Sequence, residues 1–355
     1  TGELSFGAGY STSEGVIGDI SITERNLMGK GQYVRLGFSG SLERAQVDFS
    51  FTEPYFLDRN LAAGFDLFHK EVDLSNVASF SQRSTGGNLR LGFPIADNTQ
   101  MGLRYRLEQE EIFDVLNNAS LAVKQSEGTF LTSSVGYTVA YDTRNLPQSP
   151  SSGYFTSFSQ DFAGVGGDVQ YIRSVVDARG YYPITNKITL VGRAQGGQIQ
   201  GWGGQDVRLT DLFFKGGETI RGFERAGYGP RDACEDPITR ARVANCSRDS
   251  LGGELFWATT AEVRFPFPYV PESLGMQGAL FVDAGSLWDP SGEALTAVAE
   301  EGSFIFDSAE MRLSTGFSII WQSPLGPLRA DIAQALLKAD FDKTELFRFG
   351  ASTNF

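Results

Sequence analysis

The chain has 355 residues, with 43 Asp and Glu against 30 Lys and Arg and a formal net charge of −13. An acidic balance without a basic stripe argues against nucleic acid as a partner. No window of 18 apolar residues exists, which excludes a transmembrane helix. A mean hydropathy of −0.18 leaves a transmembrane barrel open, because its strands alternate apolar-out and polar-in.

The chain opens at Thr1 without a signal peptide, so the expectation is a mature fragment whose N-terminal part is missing. Period-two alternation gives candidate strands over 3–10, 15–24, 32–41, 45–53, 61–71, 84–94, 99–111 and 128–141. It continues over 153–162, 168–181, 187–199, 254–266, 275–285, 309–321, 326–334 and 344–355. An even number near 16 suits a single-chain bacterial barrel with short periplasmic turns and long outer loops. Short turns fall at 27–31, 96–98, 185–186 and 324–326, and long stretches at 112–127, 200–253 and 286–308.

The first strand, Leu4-Ser5-Phe6-Gly7-Ala8-Gly9-Tyr10, carries two glycines that weaken a strand interior. In the fifth, Leu61, Ala63, Phe65 and Leu67 share a face with Asp66 opposite; in the seventh, Met101, Leu103, Tyr105 and Leu107 oppose Arg104, Arg106 and Glu108. Near the end, Leu313, Phe317, Ile319 and Trp321 face outward against Arg312, Ser314 and Ser318, and Leu328, Ala330 and Ile332 oppose Arg329 and Asp331. A soluble sandwich would also alternate. Arginine and acid together on so many polar faces suit a wet, charge-paired lumen instead.

His69, the one histidine, is expected at a strand end in a structural role, and Glu110-Glu111 and Glu300-Glu301 are expected to be solvated. No local catalytic motif surrounds His69, and no enzyme activity, metal or cofactor is expected. Cys234 and Cys246 lie in one polar segment. Two Cys and one His fall short of a four-ligand zinc site without several carboxylates, so a local disulfide in an oxidising compartment is the favoured reading.

Between them and the eleventh strand lies Lys215-Gly216-Gly217-Glu218-Thr219-Ile220-Arg221-Gly222-Phe223. Glycine lets such a loop fold back closely on itself, and a buried guanidinium at its tip needs carboxylates. Glu262 and Asp283 are candidates, since strand parity turns both toward the polar face. The alternative is that both acids simply solvate the lumen. The C-terminus, Phe347-Arg348-Phe349-Gly350-Ala351-Ser352-Thr353-Asn354-Phe355, puts odd positions toward lipid and ends on an aromatic.

Taken together these residues resemble the barrel domain of the BamA family of bacterial outer-membrane protein insertases. The resemblance rests on Phe51-Thr52-Glu53-Pro54-Tyr55-Phe56, on Gly216-Gly217 with Ile220-Arg221-Gly222-Phe223, and on Phe281-Val282-Asp283-Ala284-Gly285. The Cys pair in the outer part of the loop fits as well. The C-terminal aromatic is similar to an outer-membrane insertion signal, although Thr353 stands where an aromatic is usual.

The resemblance implies one all-β domain over 1–355, a 16-stranded antiparallel transmembrane barrel in the bacterial outer membrane with loop 6, the stretch 200–253, folded into the lumen. Periplasmic POTRA domains would precede it, receiving clients from chaperones and binding accessory lipoproteins. It implies that Arg221 pairs with Asp283 and Glu262. The function implied is folding and insertion of β-barrel clients, in contact with lipid and lipopolysaccharide, without ATP. Clients would enter through a lateral gate between Leu4–Tyr10 and Phe347, Phe349, Gly350 and Phe355. A polypeptide transporter of the same superfamily, of the two-partner-secretion or autotransporter-assembly type, is the rival, and a passive porin a weaker one.

Overall fold

The computed structural model describes residues 2–351 except Ser13, Gln148, Pro237, Ile238, Arg240, Arg242, Pro268, 291–303, Pro324 and Leu325. Glu300-Glu301, most of the turn at 324–326 and the terminal Thr353 and Phe355 therefore lie outside the described residues.

Sixteen antiparallel strands form one sheet in chain order. They are β1 (Gly2–Ser11), β2 (Gly15–Leu27), β3 (Gln32–Gly40), β4 (Arg44–Glu53), β5 (Ala62–Asp73), β6 (Ser81–Ala96), β7 (Thr99–Phe113) and β8 (Gly128–Asp142). There follow β9 (Gly153–Gly167), β10 (Tyr171–Pro183), β11 (Thr189–Gly201), β12 (Leu255–Pro266), β13 (Met276–Trp288), β14 (Arg312–Ser323), β15 (Gly326–Leu337) and β16 (Phe347–Ala351). The sheet curls into a nearly closed barrel whose seam lies between β1 and β16.

The packing is inverted relative to a soluble protein. Leu4, Phe6, Ile22, Leu67, Leu89, Leu107, Leu280 and Ile332 are exposed on the outside, while Glu262, Asp283, Arg312, Ser314 and Ser318 are buried inside. This is the distribution a bilayer demands, with apolar side chains toward hydrocarbon and polar ones toward the lumen. Inward charges meet across neighbouring strands. Arg90 pairs with Asp66 at 2.9 Å, Arg104 with Asp161 at 2.6 Å and Arg193 with Asp177 at 2.6 Å. The first two pairs line a lumenal cavity of about 860 Å³.

Alternation located every barrel strand but missed the local structure of the outer loops. Two short helices, α1 (Ser75–Ala78) and α2 (Leu121–Gln125), lie there, and Arg231–Asp232 pairs with Ile305–Phe306 apart from the barrel sheet. Buried Asp249 of loop 6 draws three loops together, accepting from Ser79 Oγ at 2.6 Å and from the Ser120 amide at 2.8 Å. Beneath it Phe80, Ile112, Val123, Leu209 and Leu251 form an apolar cluster.

Two expectations need correction. His69 lies inside β5, opposite Val47 and Thr85, and its Nδ1 is 2.7 Å from Thr85 Oγ1. Glu110 is buried on β7 rather than solvated, because loop 6 folds over it: Arg208 reaches its carboxylate at 3.1 Å and Thr210 Oγ1 at 3.0 Å.

Candidate functional site: a loop anchor beside an open seam

Loop 6 returns into the lumen as a tight hairpin. The Gly217 amide donates to Glu224 O at 3.2 Å, and the Thr219 and Ile220 amides donate to Gly216 O. At its tip Gly222 has φ +90°, a conformation L side chains rarely adopt, and packs on Ala333 and Ala335 of β15. Ile220 and Phe223 are fully buried, and the Phe223 ring meets Tyr228 edge-on at 5.4 Å.

Arg221 lies between them. Its Nε and Nη2 each donate to a different oxygen of Asp283 at 2.7 Å, and its backbone amide donates to the same carboxylate at 3.0 Å. Nη1 donates to Glu262 Oε2 at 2.6 Å. The guanidinium carbon sits 3.4 Å from the centre of the Phe281 ring, near enough for a cation–π contribution. A bidentate fork of this kind fixes geometry as well as supplying energy. Such charge is tolerated out of bulk water only where partners are complete.

Three further charges complete them. Arg264 donates to Glu262 Oε1 at 2.7 Å; Arg329 reaches Glu262 at 2.8 Å and Asp331 at 2.8 Å. Arg221, Arg264 and Arg329 thus balance Glu262, Asp283 and Asp331. The cluster ties loop 6 to β12, β13 and β15 at once. Closer to the rim, Lys215 is 3.9 Å from the Phe256 ring centre. Burial, with Arg173 and Arg193 nearby, pushes its ammonium down to about 8.

The seam is built differently. Among the described residues β1 and β16 share no ladder. The Thr12 amide donates to Phe349 O at 3.0 Å, and the Tyr10 and Phe349 rings stack at 6.5 Å. Leu4, Phe6, Tyr10 and Phe347 are exposed to the outside. The ladder of β16 on β15 runs only from Leu328↔Ala351 to Ile332↔Phe347, although β15 extends to Leu337.

Residues 26–355 match the family model described as the Omp85 superfamily domain. The chain belongs to the Omp85 superfamily. The Omp85 barrel is 31% identical over its whole length to a protein of Neorickettsia risticii named outer membrane protein assembly factor BamA, covering 45% of that protein. A protein of the same name from Nitratidesulfovibrio vulgaris is 30% identical over 93% of this chain and 38% of its own length. The chain thus spans less than half of these relatives. Among solved structures, BamA from Haemophilus ducreyi lacking POTRA domains 1-3 superposes with a TM-score of 0.87 at 23% identity, over 99% of this chain and 70% of that one.

The structure brings Ile220, Arg221, Gly222 and Phe223 together with Glu262 and Asp283, and joins Cys234 to Cys246 with Cα atoms 5.5 Å apart. It sets Tyr10 against Phe349, and Ser11 against Gly350. Strand parity put Arg264, Arg329 and Asp331 on the polar face, but sequence reasoning did not join them to the Omp85 loop. It also missed Asp342, which has no strand parity because it lies in a loop. Asp342 forms a fully buried ion pair with Arg312 of β14 at 3.0 Å.

Proposed function

We propose that this barrel folds and inserts β-barrel client proteins in the bacterial outer membrane through a lateral gate between β1 and β16. The observation that carries the reading is the seam, across which the described residues form no ladder. Backbone donors and acceptors left unpaired in hydrocarbon cost several kcal/mol each, so such an edge favours capture of another strand. A client's terminal strand adds to it by β-augmentation. The free energy comes from the client's own folding, with no ATP, cofactor or catalytic side chain. Leu4 to Tyr10 and the residues from Phe347 onward form the gate. The Arg221 cluster holds loop 6 so that the wall beside the opening keeps its shape. In the full-length protein, periplasmic domains ahead of Thr1 deliver clients and bind accessory lipoproteins, and the exterior contacts lipid and lipopolysaccharide. The assembly-factor names carried by the similar bacterial proteins support this reading.

The test uses the full-length protein with Ser5→Cys or Gly7→Cys and a stalled client bearing a cysteine in its last strand. A disulfide confined to one register supports templating on β1. Absence of a client crosslink in every register, with β1 linking to β16 at all times, overturns the gate and moves a transporter or porin ahead.

A further inference from the structure

The segment between β15 and β16 does not behave as a surface loop. It leaves the sheet and turns inward onto loop 6. The Lys343 amide donates to Gly227 O at 2.8 Å, the Glu224 amide to Lys343 O at 3.1 Å, and the Glu345 amide to Gly222 O at 3.1 Å. Thr344 bridges Phe223 in antiparallel fashion. These bonds replace the ladder that the outer end of β15 would otherwise offer to β16, which is why β16 begins at Phe347 rather than near 344.

The apex of this segment is held by charge. Asp342 accepts from Arg312 Nε at 3.0 Å and Nη2 at 3.3 Å, and its Oδ2 also accepts from the Ala339 amide at 2.8 Å. The remaining Arg312 donor, Nη1, is spent on Ser308 O at 2.7 Å and Glu310 O at 2.8 Å. Phe341 stacks on Phe306 at 5.3 Å beside this pair. On the other side, Arg348 of β16 donates to Phe223 O at 3.2 Å and pairs with Glu345 at 2.7 Å. A continuous path of hydrogen bonds therefore runs from the tip of loop 6 to the terminal strand.

We infer that residues 338–346 form a strap that couples the loop-6 tip to the terminal strand, with Arg312 and Asp342 as the positioning residues that lock it. The buried pair fixes the strap; the strap fixes where β16 leaves the sheet; and that departure point sets the position of Phe349 and Gly350 against β1. Loss of the lock lets the outer end of β16 fray while the other fifteen strands stay paired. The consequence for client capture rests on the gate reading above, whereas the coupling itself does not.

The seam reports on the strap directly. A Cβ built on Gly350 lies 3.9 Å from Ser11 Cβ, inside the separation a disulfide requires. In the full-length protein with Cys234 and Cys246 both replaced by serine, Ser11→Cys with Gly350→Cys links rapidly on oxidation. Adding Asp342→Asn, which keeps size and one acceptor oxygen but removes the charge, slows that link several-fold and raises amide exchange at residues 220–224. The barrel remains heat-modifiable. Arg348→Met, a milder cut on the β16 side that leaves the ion pair intact, slows the link as well. Seam linking that is unchanged or faster in both variants overturns the strap. If Asp342→Asn fails to fold, Arg348→Met alone decides by the same criterion. Client crosslinking from Ser5→Cys is read in parallel: a slowed seam with undiminished client capture keeps the strap and removes the gate function.

Discussion

The wall formed by β12 to β15 and the seam formed by β1 and β16 obey the same alternating pattern, yet they are held in opposite ways. The wall has full ladders and an internal cluster of three guanidiniums and three carboxylates, into which Arg221 brings loop 6. Between described residues the seam shows the Thr12–Phe349 backbone bond, long contacts of the Thr12 hydroxyl with Phe349 and Glu345, and a stacked ring pair. Charge that is removed from water demands complete partners, so the wall is over-determined. Glycine-bearing β1 and a shortened β16 place no such demand. Rigidity in this barrel is thus concentrated where a loop must stay docked, and withheld where a strand is proposed to enter.

The largest expected effect comes from breaking the wall. Arg221→Ala leaves Asp283 buried without its main cation and should cost about 3–5 kcal/mol. It should be visible as a lower temperature for loss of heat-modifiable mobility; a wall that melts at the parental temperature would remove the anchor from the comparison. Opening the Cys234–Cys246 bond comes next. The bond closes a loop with a sequence separation of 12, worth roughly 3 kcal/mol in the chain-entropy model. The loss is local: amide exchange should accelerate over 231–250 and stay constant at 220–224. Acceleration at both would show that the outer loop and the anchor unfold as one unit.

Two alanine substitutions then sharpen the contrast. Gly222→Ala forces a side chain onto φ +90° against Ala333 and should cost about 1–3 kcal/mol. In Gly7→Ala the nearest atoms met are those of the Asp19 carboxylate, a side-chain end that can swing away, so its effect should stay within about 0.5 kcal/mol. Equal melting losses for the two would erase the distinction between wall and seam.

The last contrast is a pH dependence. The Lys215 ammonium falls from 10.5 to about 8 in the folded protein. Between those values the unfolded chain binds more protons than the folded one, so stability rises with pH across that window. The penalty is fully present below about 8. Lys215→Met should flatten the rise in melting temperature between pH 8 and 10, and an unaltered slope would assign it to other groups.

Much of this was legible beforehand because barrel strands carry their own signal. Parity alone put Glu262, Asp283, Arg312, Ser314, Ser318, Arg329 and Asp331 on the inner face, and the structure buries these side chains there. The glycines around Arg221 marked a loop able to approach other backbone closely. Glu110 was misjudged because its burial comes from Arg208 and Thr210, about a hundred residues away in sequence. The start of β16 was placed three residues early for a similar reason: Thr344 alternates acceptably, but loop 6 claims it. The helical turns at 75–78 and 121–125 carry too few residues for any period to show.

By itself the sequence determined the strand number, the inward and outward faces and the charges available to a folded-in loop, because a period of two is a local property of a strand in contact with two different media. Only the tertiary structure decided which charges meet, that Asp342 pairs with Arg312, and that among the described residues no ladder crosses the seam. Those outcomes depend on how segments distant in the chain compete for the same hydrogen-bonding groups, and no local pattern records the result of that competition.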